Sequence, residues 1–156
     1  MVDVTITDTG KRRVSDSTAT ETKANNGNPF TLCGVSLSYG INTLLNNTPY
    51  LAYWNYNEVD KTGFENPTIT ITGYIDMNDN KFDIMTLIEF AKSKGVKILT
   101  GDFFSAITES TSPFKDSTIY VRVVSLQFSQ QTLREYATGK YEDNLIEYNL
   151  SLVQTG

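Results

Sequence analysis

Carboxylates and aromatic side chains are the groups in this sequence that could do chemistry, because it contains no histidine and a single cysteine. Without histidine, the chain cannot build a Ser-His-Asp triad, a Cys-His pair or a histidine-containing zinc site. No pair of carboxylates has a placement that indicates the separation needed for glycoside hydrolysis. The candidates all lie in predicted turns or caps: Asp76, Asp79, Asp116, Glu142 and Asp143. The sequence therefore predicts a protein that is not an enzyme.

The acidic turn at residues 76–80 is the nearest approach to a metal site, because oxygen ligands recur there at alternate positions. It departs from an EF-hand at Lys81, where that loop needs glycine, and at Leu87, where it needs glutamate. We interpret Asp79 and Asn80 instead as the cap of a helix, whose positive N-terminal end favours acidic residues. The sequence thus predicts neither a metal nor a cofactor.

Aromatic residues are concentrated between residues 49 and 57, and they allow two interpretations. With neighbouring asparagines, Tyr53, Trp54 and Tyr56 could form a sugar-stacking platform in a carbohydrate-binding β-sandwich module. Tyrosine and tryptophan are also enriched at subunit interfaces, which is the interpretation we prefer. The predicted interface residues are Tyr50, Tyr53, Trp54 and Tyr56.

Cys33 lies in a run whose alternation places it on one face with Val35 and Leu37. The sequence therefore predicts a buried thiol that acts as a small apolar residue. A single cysteine cannot form an internal disulfide, which fits folding in the cytosol. The N-terminal residues show no apolar signal region, and no run is long enough to cross a bilayer, so we expect a soluble protein without a membrane partner.

The length of 156 residues fits one domain spanning residues 1–156. A formal net charge of −5 argues against a dedicated nucleic-acid-binding protein, which usually has a concentrated positive surface. Residues 8–28 are polar and have few apolar anchors. They are predicted to be a long loop, or an arm that becomes ordered against a neighbouring subunit.

Residues 67–101 follow the order strand, acidic turn, helix, strand. Threonine and isoleucine alternate from Thr68 to Thr72, and residues 82–94 have helical apolar spacing at Ile84, Leu87, Ile88 and Ala91, joined by Met85 and Phe90. Further strands are predicted at residues 2–7, 30–38, 49–57, 118–129 and 145–153, whereas residues 42–47 and 58–66 are predicted to be a turn and a loop. The predicted fold is mostly β (α+β): an antiparallel β-sandwich or barrel of about seven strands with one flanking α-helix.

This order of elements resembles the tail-tube fold of tailed bacteriophages and contractile injection systems. The resemblance covers roughly the C-terminal two-thirds of the chain and is carried by residues 68–76, 82–94, 96–101, 119–128 and 145–153. It implies a structural subunit that forms hexameric rings, which stack around a continuous lumen. Distal-tail and baseplate proteins share the fold and are the closest alternative.

The resemblance also implies the partners and location of the protein. We expect it to bind copies of itself and other tail or baseplate proteins, and to reside in the virion tail after assembly in the host cytoplasm. DNA would pass through the lumen, and the acidic balance of the chain would discourage it from adhering there.

Overall fold

The computed structural model describes residues 2–49, 57–104, 118–130, 133–134, 141–142 and 145–155. Within them the chain forms eleven strands, one long α-helix, a helical segment at residues 102–104 and a short 3₁₀ turn at Ala24–Gly27. The helix α1 spans Met77–Lys92. The strands are β1 Val4–Asp8, β2 Phe30–Leu32, β3 Ser36–Gly40, β4 Thr43–Pro49, β5 Asn57–Phe64, β6 Thr68–Asp76, β7 Lys97–Thr100, β8 Thr118–Gln130, β9 Leu133–Arg134, β10 Tyr141–Glu142 and β11 Leu145–Gln154.

Seven of these strands form one antiparallel sheet in the order β2-β1-β7-β8-β11-β6-β3. Its two end strands, β2 and β3, are separated in the chain by only residues 33–35. The four Cα–Cα steps from Leu32 to Ser36 span at most about 14 Å. In a flat sheet of seven strands, six strand spacings would separate β2 from β3 by about 29 Å. The sheet must therefore curl into an incomplete barrel. The predicted fold class, mostly β with about seven antiparallel strands and one flanking helix, is confirmed.

The core fills the concave side of the curled sheet. The alternation predicted in β6 and β11 is present, because Ile69, Ile71 and Leu150 are fully buried while the residues between them are not. From α1, Leu87 and Phe90 are also fully buried. The Phe90 ring stacks on Phe30 of β2 with a centroid distance of 6.2 Å, so the helix is fixed against the sheet by aromatic packing.

The helix begins five residues before the predicted start and ends two residues before the predicted end. Our inclusion of Met85 in its apolar face was wrong, because that side chain is 64 % exposed. At about 100° per residue, Met85 lies on roughly the opposite side of the helix from Leu87.

The predicted strand at residues 30–38 is two strands at opposite ends of the sheet, and the break lies at Gly34. Gly34 has φ 62°, a left-handed conformation that ends the alternation of an extended strand. Cys33 is consequently exposed, and the prediction of a buried thiol was wrong.

Residues predicted to be a turn and a loop form the β-hairpin of β4 and β5 instead. The two strands pair from Thr43 with Phe64 to Pro49 with Asn57, with a register shift after Leu44. Their asparagine and charged residues have low strand propensity, so the alternation signal was weak. In the described part of the chain, this hairpin joins no other sheet. Most of the predicted strand at residues 49–57 lies outside the described residues.

Gly73 is required by the packing of β11 on β6. It lies directly opposite Tyr148, and a Cβ atom at Gly73 would lie 2.6 Å from Cζ of that tyrosine. Gly73→Ala is therefore expected to lower the free energy of unfolding by about 1–3 kcal/mol through overpacking. Urea denaturation followed by circular dichroism measures this.

Gly40→Ala is the matched control for Gly73→Ala. At Gly40 the nearest atom to an added Cβ is the Thr68 hydroxyl oxygen, at an ordinary 3.4 Å. Equal urea midpoints for the two variants would contradict the packing role assigned to Gly73.

Candidate functional site

Four adjacent strands, β3, β6, β11 and β8, present one continuous polar face to solvent. Alternation turns the isoleucine and leucine side chains of these strands to the core, so hydroxyl and amide side chains point outward. None of the outward residues is buried. The polar face consists of Ser36, Ser38, Thr70, Thr72, Tyr74, Ser125, Gln127, Ser129, Glu147, Asn149 and Ser151.

Glu147 is the one charged residue in the middle rows of the polar face, and the rows at its two ends carry Asp76 on β6 and Arg122 on β8. Neighbouring strands are joined across it by side chains: the Thr72 hydroxyl donates to Oδ1 of Asn149 at 2.6 Å. A hydrated surface of hydroxyls and amides has neither the cationic groups that bind phosphates nor paired carboxylates for acid–base chemistry. The polar face is therefore suited to weak contact with a passing molecule rather than to tight binding.

The polar face ends in two free strand edges. At one end, β8 pairs with β7 only as far as Val121, so residues 122–129 have a strand partner on the β11 side alone within the described chain. At the other end, β6 is the one strand of the described residues that pairs with β3. A free edge exposes unpaired N–H and C=O groups and is a template for pairing with another chain.

A β-bulge lies where β8 leaves the barrel. The register with β11 shifts at this point, so Val124 is an extra residue without a partner across the ladder. Its side chain is 66 % exposed. Bulges bend a strand and increase its twist, so this one separates the part of β8 that closes the barrel from the part that forms the free edge.

Two hairpins extend from the sheet. Beyond β8 and β11, the short strands β9 and β10 pair Leu133 with Glu142 and Arg134 with Tyr141 in a two-stranded sheet of their own. The hairpin of β4 and β5 is the second. Isolated two-stranded ribbons are marginally stable in water, so both hairpins are surfaces that contact with another chain would stabilise.

The predicted interface residues Tyr50, Tyr53, Trp54 and Tyr56 lie outside the described residues, between β4 and β5. The same is true of two candidate carboxylates, Asp116 and Asp143, whereas Glu142 lies in β10.

The predicted cap residues lie within the first turn of α1 rather than before it. Because the helix begins at Met77, the position that precedes it is occupied by Asp76, and not by Asp79 or Asn80 as predicted. The backbone is helical from Met77 onward, so residues 76–80 do not form a calcium-binding loop.

A buried polar cluster, which the sequence did not indicate, attaches residues 8–28 to the body of the protein. Asp8 is 2 % exposed, and its carboxylate accepts hydrogen bonds from the N–H groups of Gly10 at 2.9 Å and Ala24 at 2.8 Å and from the Ser93 hydroxyl. Lys97 is 1 % exposed, with Nζ 3.9 Å from Oδ2 of Asp8. We define Asp8, Ser93 and Lys97 as the buried polar cluster.

Lys97 also closes the C-terminal end of α1. Its ammonium donates to the carbonyl oxygens of Ser93 at 2.8 Å and Gly95 at 2.6 Å, where the helix dipole favours a cation. Burial lowers the pKa of Lys97, and the carboxylate of Asp8 offsets part of that effect. Because each polar group in the cluster has a partner, its role is structural.

Among the described residues, no three histidine, cysteine or acidic side chains come together as a possible metal site. No helix of the described chain has the length and apolar content needed to span a membrane. No protein-family model matches the chain, and no curated protein matches it.

Proposed function

We propose that this protein is a structural subunit of a phage tail tube or a tail-like injection tube, and that it assembles by pairing the free edge of β8 with β3 of a neighbouring copy. The observation that carries the proposal is the free edge of β8 over residues 122–129. The resemblance of the chain to the tail-tube fold supports the same role. This role requires no catalytic group.

The strand directions support ring formation. β3, β6, β11 and β8 alternate in direction, so β8 of one subunit would lie antiparallel to β3 of the next. The two edges belong to different strands, so the contact is head-to-tail. Head-to-tail contacts form a closed ring when the rotation that relates neighbouring subunits returns to the first subunit. The tail-tube resemblance implies six copies in a ring.

In such a ring, the polar faces of all copies would join into one continuous surface around the lumen. The hydroxyl and amide groups that make up most of this surface would give passing DNA few groups to adhere to, because phosphate binding depends on lysine and arginine, and the polar face has one such residue, Arg122, in an end row. The hairpin of β4 and β5 is available for contact between stacked rings. A distal-tail or baseplate protein would use the same edges in a ring that does not stack.

Negative-stain electron microscopy and sedimentation velocity of the purified protein test this proposal. We expect rings or tubes whose fraction rises with protein concentration. Stacked tubes would indicate a tube subunit, and single rings would indicate a distal-tail or baseplate subunit. A protein that remains strictly monomeric at high concentration would contradict the proposed function.

A further inference from the structure

A small cavity of about 270 Å³ lies at the seam of the incomplete barrel, where β2 faces the end of β6 above α1. Its lining combines apolar side chains from these three elements, including Phe30, Ile75 and Leu87, with the polar groups of Asp83 and Tyr148. Cys33 and Tyr74 are exposed at its rim, and Tyr74 is 58 % exposed. We name this space the seam cavity.

Tyr148 provides a hydroxyl group to the seam cavity. The residue is 3 % exposed, and its ring crosses Gly73, which has no side chain to block it. Within the described chain, no hydrogen bond of this hydroxyl is found, and because no buried side-chain oxygen there lacks a partner, the hydroxyl oxygen is open to the cavity. Burial raises the pKa of Tyr148 to about 12, so the group is a neutral phenol at physiological pH.

Asp83 of α1 provides a carboxylate to the same cavity. It is half-buried, and the ion pairs found among the described residues do not include it. Burial raises the pKa of Asp83, the expected result for a carboxylate that is partly removed from water. An anion in this environment is stabilised when a cation binds beside it.

We propose that the seam cavity binds an organic ammonium group carried on an apolar stem. The carboxylate of Asp83 would pair with the ammonium, and the hydroxyl of Tyr148 would hydrogen-bond to it. The apolar walls would bury the stem. The ligand is either a small amine or the lysine side chain of a second copy of this chain. The proposal does not depend on tube assembly.

The single cysteine of the chain makes the cavity directly measurable. Cys33 is at the rim, so a bound ligand is expected to slow its reaction with a soluble thiol reagent. Hexylammonium is the probe, and hexanol is the control with the same stem and no charge. We expect hexylammonium to slow the reaction saturably, by about fivefold or more, and hexanol to have little effect. If hexylammonium at millimolar concentration does not slow the reaction of Cys33, or if hexanol slows it equally, the ligand is not a small amine.

Two variants separate binding at the cavity from non-specific effects. Asp83→Asn keeps the size of the side chain and is expected to weaken hexylammonium binding about tenfold, the usual effect of removing a charged hydrogen-bond partner. Glu89→Gln is the matched control, because it neutralises a carboxylate on the same helix that lies outside the cavity. Equal protection of the wild type and Asp83→Asn would overturn the proposal.

A dilution series without added amine distinguishes the two sources of the ammonium group. If Cys33 reacts more slowly at high protein concentration in the wild type but not in Asp83→Asn, the ligand is a lysine of a second copy. If the rate is independent of protein concentration and hexylammonium protects, the ligand is a small amine. Absence of both effects would overturn the proposal, whereas formation of rings and tubes would be unaffected.

Discussion

Replacing Val124 and Gln127 together with lysine is expected to prevent ring formation and to leave a folded monomer. Both side chains are exposed on the free edge of β8, so the fold should tolerate the change. In a ring, each lysine would lie at the junction with β3 of the next subunit. Natural proteins use lysine on strand edges to prevent such pairing.

We expect the dissociation constant of the subunit contact to rise by about 100-fold or more, which corresponds to about 2.7 kcal/mol. Sedimentation velocity over a concentration series measures it, and circular dichroism confirms the fold. The control is Ser17→Lys with Thr18→Lys, which adds the same charge at two exposed positions in the loop of residues 8–28. If the edge variant and the control assemble equally well, the β8 edge is not the contact.

The second large effect is expected at the buried polar cluster. Asp8→Ala removes the acceptor of three hydrogen bonds and the carboxylate nearest to the buried ammonium of Lys97. Breaking a buried pair by deleting one partner typically costs about 3–5 kcal/mol, a large part of the 5–15 kcal/mol that stabilises a typical domain. Urea denaturation measures the loss. Hydrogen exchange should also increase at Gly10 and Ala24, whose N–H groups lose their acceptor.

Asp16→Ala is the matched control, because Asp16 accepts a backbone N–H of the same loop at an exposed site and should cost less than about 1 kcal/mol. The double variant Asp8→Asn with Lys97→Met removes both charges and should recover much of the stability. Similar losses for Asp8→Ala and Asp16→Ala would show that the cluster does not anchor the loop.

The parts of the fold that could be predicted from the sequence are those in which local alternation and burial agree. Threonine and isoleucine in β6, and the polar and apolar residues of β11, alternate with a period of two, and the structure follows that pattern. In β8 the alternation changes face at the bulge, because the extra residue Val124 places Leu126 and Phe128, rather than Ser125 and Gln127, on the side of Val121. The buried residues Leu87 and Phe90 of α1 follow from helical spacing. These segments also supply three of the four strands of the polar face.

The remaining features depend on contacts between distant segments or on single backbone conformations. Lys97 was predicted to be in a strand, but its burial depends on Asp8, which is 89 residues earlier in the chain. The left-handed conformation of Gly34 divides one predicted strand into two and exposes Cys33. The free edge of β8 results from the short pairing with β7, which no local pattern encodes.

The position of β11 in the sheet has a consequence for the timing of folding. β11 follows every other strand in the chain, yet it lies between β8 and β6 in the middle of the polar face. Until β11 has been synthesised and inserted, β8 and β6 are not parts of one sheet, and β8 has no ordered edge to offer. Sheets built from such distant segments also form slowly. If the subunits assemble as we propose, this order of synthesis would delay assembly until each subunit has folded.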